Sequence, residues 1–156
     1  MKSWQQSLKD SVLTGSIAAA AACAVVAWRG QRDSGSAIAP LNATSHMIWG
    51  NDAAKVEGFS WQHTVPGLLF NAGAGIWWGF IYHKLFGEQS DRHGLPAALA
   101  GGATTAALAY LVDYHLLPQR LSPGWELRIS PGSMLLSLGA LAAGLAAGAS
   151  MPAQNR

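Results

Sequence analysis

Charge is scarce in this sequence. Only 12% of its 156 residues are Asp, Glu, Lys or Arg, while half are apolar; a soluble domain carries about 25% charged residues. A small chain has a large surface for its volume and would need more charge to cover it in water, so these numbers point to lipid as the solvent. The net charge of +2 comes without a Lys/Arg cluster or a basic stripe interleaved with aromatics, which argues against nucleic acid as a partner. Cysteine occurs once, at Cys23, so an internal disulfide and a multi-cysteine metal site are both excluded. Cys23 lies in an alanine run and reads as a small packing residue. Ala20-Ala21-Ala22 before it lacks the leucine of a lipoprotein cleavage site. Catalytic motifs are also missing: there is no Gly-x-Ser-x-Gly, no phosphate loop and no His-Glu-x-x-His. The five histidines, His46, His63, His83, His93 and His115, fall near segment ends or in loops. No two of them have the i, i+4 spacing of a helical metal site. Neither an enzyme nor a cofactor or metal centre is expected.

What the sequence does contain is four apolar stretches, and the fold they predict is an all-α integral membrane four-helix bundle forming one domain over 1–156. The first span covers about 11–28, between Lys9-Asp10 and Arg29. At about 1.5 Å per residue it just crosses a hydrocarbon core of about 30 Å. Val25-Val26-Ala27 is a poor signal-peptidase site, so this segment is expected to stay as an anchor. The second span covers about 66–86, the third 96–117, where Pro118 stops the helix, and the fourth 131–149. Ser130 and Pro131 give the fourth a clear start as N-cap and first helical residue. Between spans one and two, Pro40 to Gly50 reads as a short helix on or dipping into the membrane surface. Gly87 to Gly94 reads as a polar connection. Leu116 to Ser130 reads as a loop held at the headgroups by Trp125 and its cations, and a short polar tail follows Pro152. Cations divide equally between the two sides, so the positive-inside rule gives a tie. Both termini are placed in the cytoplasm on the lesser weight of long loops.

Helices in lipid associate through close backbone approach and interhelical hydrogen bonds. Two Gly-x-x-x-Gly pairs, Gly75 with Gly79 and Gly144 with Gly148, supply such faces, either inside the chain or in a homo-oligomer. Polar groups at membrane depth are costly and need a partner. Asn71, in the second span, is expected to bond to backbone or to Thr104, Thr105 or His46. Asp113, one turn inside the end of the third span, is expected to meet Arg120 or Arg128, or His115 in looser geometry. Asp113 and His115 are two residues apart and so point in different directions on a helix. The topology puts His46, Asp113, His115 and Arg120 on one side of the membrane, a candidate polar cluster together with Asn71.

Ala39-Pro40-Leu41-Asn42-Ala43-Thr44-Ser45-His46 with Trp49-Gly50, and Asp113-Tyr114 with Pro118-Gln119-Arg120-Leu121-Ser122-Pro123-Gly124-Trp125-Glu126, resemble patterns that recur in small uncharacterised four-span bacterial inner-membrane proteins. The resemblance covers most of the chain and implies an inner-membrane location without implying an activity. The expected function is a non-enzymatic accessory or scaffold subunit, packing against the bilayer and a larger membrane complex or a second copy of itself. The alternative is a small transporter or proton-coupled channel using the polar cluster around Asp113.

Overall fold

The structure is a computed structural model that describes residues 1–151; the polar tail beyond Pro152 lies outside the described residues. Among those residues every regular element is helical. The first helix, α1 (Trp4–Ser34), is much longer than its apolar run. Its 31 residues span about 46 Å at about 1.5 Å per residue. The excess is polar at both ends. Ser3 caps the start by accepting the Gln6 N–H at 3.1 Å, and Gly35 ends the helix in the left-handed conformation, which glycine adopts without Cβ strain. The last turns are held by an Arg29–Asp33 pair at 3.1 Å, one turn apart, and by both Arg29 and Arg32 lying over the Trp28 ring.

The predicted helix over Pro40–Gly50 is two pieces, α2 (Ala39–Ala43) and α3 (His46–Trp49), followed by a 3-10 turn at Asn51–Lys55. All five residues of α2 are buried against the rest of the chain. Two features allow that burial. Alanines and Pro40 are small enough for α2 to lie against α4 (Thr64–Leu85), where the Leu41 carbonyl rests on Gly67. The Asn42 side chain also satisfies groups that would otherwise be stranded: its amide donates to the Val56 and Gly58 carbonyls at 2.7 and 2.9 Å, and its oxygen accepts from Thr64 at 2.6 Å.

The segment expected as a polar connection is a helix, α5 (Gly87–His93). It is braced by an i, i+4 Glu88–Arg92 pair and by Ser90, whose hydroxyl meets Tyr82 Oη at 2.7 Å. Next comes α6 (Leu95–Leu111), which widens at its end into one π turn, Val112–Leu116, closed by the Leu117 N–H on the Val112 carbonyl. The last helix, α7 (Pro131–Ala149), starts at the predicted cap: Ser130 Oγ accepts the Ser133 N–H at 3.3 Å. Three helices among the described residues are long and apolar enough to cross a membrane: Trp4–Ser34, Leu95–Leu116 and Pro131–Ala149. The expected second span, α4, has 22 residues but is diluted by Asn71, four glycines, His83 and Lys84.

The central element is α1, packed along α4 on one side and α7 on the other; α6 packs on α7. Both glycine pairs are used inside the chain. A Cβ on Gly75 would lie 2.6 Å from Ala19 Cβ, and one on Gly144 would lie 2.6 Å from Ala18 Cα. Gly79 faces Gly15 and Gly148 faces Thr14 in the same way. Small residues therefore bring three backbones together, which is how van der Waals contact holds helices in lipid. By contrast α4 and α6 touch only sparsely, and the space between them is where the polar residues converge.

Candidate functional site

A cavity of about 80 Å³ lies among α1, α4, α6 and α7 and is covered by α2–α3 and the Leu121–Trp125 stretch. Asn71 and Asp113 both line it, together with Thr44, Trp78, Tyr114 and Trp125. One water needs on the order of 10–15 Å³ of such space, so there is room for several waters or one small solute. Ala74, also in its wall, is exposed, so the cavity reaches the outer surface beside α4.

Each polar group in the wall has an identifiable origin. Asn71 is buried on α4, and its amide donates to Thr44 Oγ1 at 3.0 Å and to the Gly67 carbonyl, one turn back, at 2.8 Å. The expected threonine partners were Thr104 and Thr105; those hydroxyls instead bond to carbonyls of their own helix, Ala100 and Gly101. Asp113 sits in the π turn, which shifts the helical register by about one residue. Asp113 and Tyr114 both line the cavity, whereas His115 is exposed and rests edge-on against Tyr110, 5.0 Å between ring centroids. Asp113 Oδ2 accepts from Trp78 Nε1 at 3.3 Å.

The expected arginine partners of Asp113 are engaged elsewhere. Arg120 is exposed and donates to the Met47 and Ile48 carbonyls at 3.2 and 3.4 Å, completing the bonding of carbonyls at the end of α3. Arg128 pairs with Glu57 at 3.1 Å and reaches the Ser34 carbonyl. No ion pair to Asp113 occurs among the described residues. His46, expected near the membrane surface, is buried, with Nε2 2.9 Å from the Ser122 carbonyl and Nδ1 3.3 Å from the Asn51 side chain. A carbonyl can only accept, so Nε2 carries a proton. His46 thus fastens the loop over the cavity without lining it. The cluster read from the sequence separates: Asn71 and Asp113 come together, whereas His46, His115 and Arg120 stand outside.

Trp125, expected as a headgroup anchor, is turned inward and is 7% exposed. The turn that does this needs Gly124, which has φ of 79° and lies against the Ala43 carbonyl, where a Cβ would sit 2.6 Å from the oxygen. Trp125 Nε1 and Tyr114 Oη are both buried without a hydrogen-bond partner among the described residues. Unpartnered buried polar atoms are rare in folded proteins, and two of them belong to residues in this cavity's wall. Beside them Glu126 accepts from Ser122 at 2.5 Å through one oxygen, while its other oxygen is buried without a partner.

A second polar centre, missed in the sequence, lies at the C-terminal end of α4. His83 is 1% exposed, with Nε2 2.9 Å from Thr14 Oγ1 and Nδ1 3.9 Å from Asp10 Oδ2. Asp10 is itself buried and pairs with Lys2 at 3.0 Å, and Lys2 also meets Asp91 at 2.8 Å. The available signal was spacing: Ser7, Asp10, Ser11 and Thr14 recur at helical intervals and form the buried face of α1.

Compared with known protein families, characterised proteins and solved structures, the chain matches none. The site is therefore read from its own chemistry.

Proposed function

We propose that this is a small non-enzymatic transporter or proton-coupled channel of the bacterial inner membrane, with the cavity around Asp113 as its substrate site. The observation that carries this reading is that Asn71 and Asp113, distant in sequence, line one cavity in which, among the described residues, the carboxylate has a single neutral donor, Trp78, and no arginine. A carboxylate retained for structure alone would be expected to have a cation, because an uncompensated charge withdrawn from water is costly. On this reading α4 also spans, as the second of four helices in a bundle, shielded by its packing on α1, and both termini face the cytoplasm. The buried Lys2–Asp10–His83 centre then stands toward one membrane face, where a route through the chain would need a second polar station. Purified protein in liposomes should dissipate an imposed pH gradient faster than protein-free liposomes; equal rates would contradict the reading.

A second reading, an accessory subunit of a larger membrane assembly, is favoured by an outer groove between α6 and α7. It is lined by small and apolar side chains, among them Ala103, Ala107, Leu135 and Gly139. Since both Gly-x-x-x-Gly pairs are used internally, a partner helix would meet the chain at this groove. Crosslinking from Gly139→Cys, in a Cys23→Ser background, would give a discrete larger species on this reading and monomer only on the first.

A further inference from the structure

We infer that the group received by the Asp113 cavity is a compact organic ammonium. The inference rests on the reading of this cavity as a solute site and names the chemical class of the solute. Three features of the wall specify it. The first is charge: Asp113 lines the cavity, and its carboxylate is in no ion pair among the described residues. The cations on the neighbouring elements are already used, Arg120 on the carbonyls of α3 and Arg128 on Glu57. An anionic solute would meet a like charge there.

The second feature is the aromatic wall. Phe70, Trp78, Tyr114 and Trp125 all contribute to it. Ring faces attract cations, and an ammonium group with its charge spread over C–H and N–H groups loses less hydration on entering such a wall than a metal ion does. Hard divalent cations instead require several oxygen ligands, and the described residues hold no group of three or more potential metal ligands. The third feature is the pair of unpartnered polar atoms, Trp125 Nε1 and Tyr114 Oη. Both atoms are closed off within the packed wall. Both can donate, and Trp125 can only donate, so a solute that displaced either ring slightly would be met by donors and would suit them with an acceptor of its own. With about 80 Å³ of space, the ammonium and its acceptor belong to something the size of an amino alcohol. Such a group could arrive free in solution or as the headgroup of a lipid, since the cavity reaches the outer surface at Ala74.

The test is calorimetric titration of the purified protein in nanodiscs of phosphatidylcholine. Ethanolamine, methylammonium and ethylene glycol would be compared, the last as the uncharged counterpart of the first. The expected result is saturable binding of ethanolamine, weaker binding of methylammonium and none of ethylene glycol. Asp113→Asn should weaken ethanolamine at least tenfold, and Trp125→Phe should weaken ethanolamine while leaving methylammonium unchanged. Loss of ethanolamine binding in nanodiscs containing phosphatidylethanolamine would identify the headgroup as the source; unchanged binding would identify the free amine. Equal binding of ethanolamine and ethylene glycol, a comparison that needs no variant, would overturn the inference. So would Asp113-dependent proton flux with no amine binding, which would leave the transporter reading standing. Amine binding with no flux would remove transport and keep the ligand class.

Discussion

Asn71 and Asp113 are both polar residues in the wall of one cavity, and the structure treats them differently. The Asn71 amide is used twice, by Thr44 and by the Gly67 carbonyl, so it ties α2 to α4 as well as bordering the cavity. Replacing it with Ala leaves the Thr44 hydroxyl short of a donor, while the Gly67 carbonyl keeps the helical N–H of residue 71, at about 1–3 kcal/mol for such a buried loss. Asn71→Ala should therefore lower the thermal midpoint of the detergent-solubilised protein, and an unchanged midpoint would show that the amide is not structural. Asp113 has one weak, neutral partner, so its removal should alter function more than stability. At this scale the sequence was only partly legible. It identified both residues as needing an explanation, but Asp113's arginines were assigned from proximity along the chain. The carbonyls of α3 and the Glu57 carboxylate claim those arginines instead, and these competitors become visible only when the segments between spans are folded. Thr44, Trp78, Tyr114 and Trp125 carried no signal of their own, because a tryptophan beside a membrane segment reads equally as an anchor or as a cavity wall.

Among elements, the helix starts were the most readable feature. Ser130-Pro131 marks the start of α7, because caps are local chemistry. Helix length was less readable: the apolar run of α1 stops where lipid would stop, whereas its hydrogen bonding continues through Lys9-Asp10 and Arg29–Asp33. Burial of α2 and inward rotation of Trp125 were not legible, since each depends on a glycine meeting a distant carbonyl, Gly67 under Leu41 and Gly124 under Ala43. The Gly-x-x-x-Gly pairs were legible as packing faces, though not as to partner. Both close on α1, so a bulky residue in either should separate α1 from its neighbour. Gly144→Leu would force the α7 backbone away from Ala18, and overpacking of this kind costs about 1–3 kcal/mol or more. The expected outcome is a large loss of thermal stability and earlier proteolysis. Gly139→Leu, where a Cβ meets nothing within 4 Å, should be tolerated by the monomer.

For the whole molecule, the arrangement is a chain with two polar centres along α4, Asp113 with Asn71 beside its middle turns and His83 with Asp10 at its C-terminal end. That geometry has consequence for transport only if α4 crosses the membrane, which its composition leaves to packing. Single cysteines at the exposed positions Asp52 and Gln89, placed before and after α4 in a Cys23→Ser background, should react with an impermeant maleimide from opposite sides of the membrane. Reaction from the same side would contradict a crossing. Membrane character itself was legible from the scarcity of charge, and it reappears as three helices of sufficient length and apolarity.

The central claim is that Asp113 serves a solute rather than the fold, and the most direct measurement compares dissipation of a pH gradient by liposomes containing wild-type protein, Asp113→Asn or Asp113→Glu at matched protein content and matched thermal midpoint. The account predicts at least a tenfold loss of rate in Asp113→Asn, with partial recovery in Asp113→Glu, which restores the carboxylate. A rate in Asp113→Asn equal to that of the wild type would show that the carboxylate is a passive part of the wall.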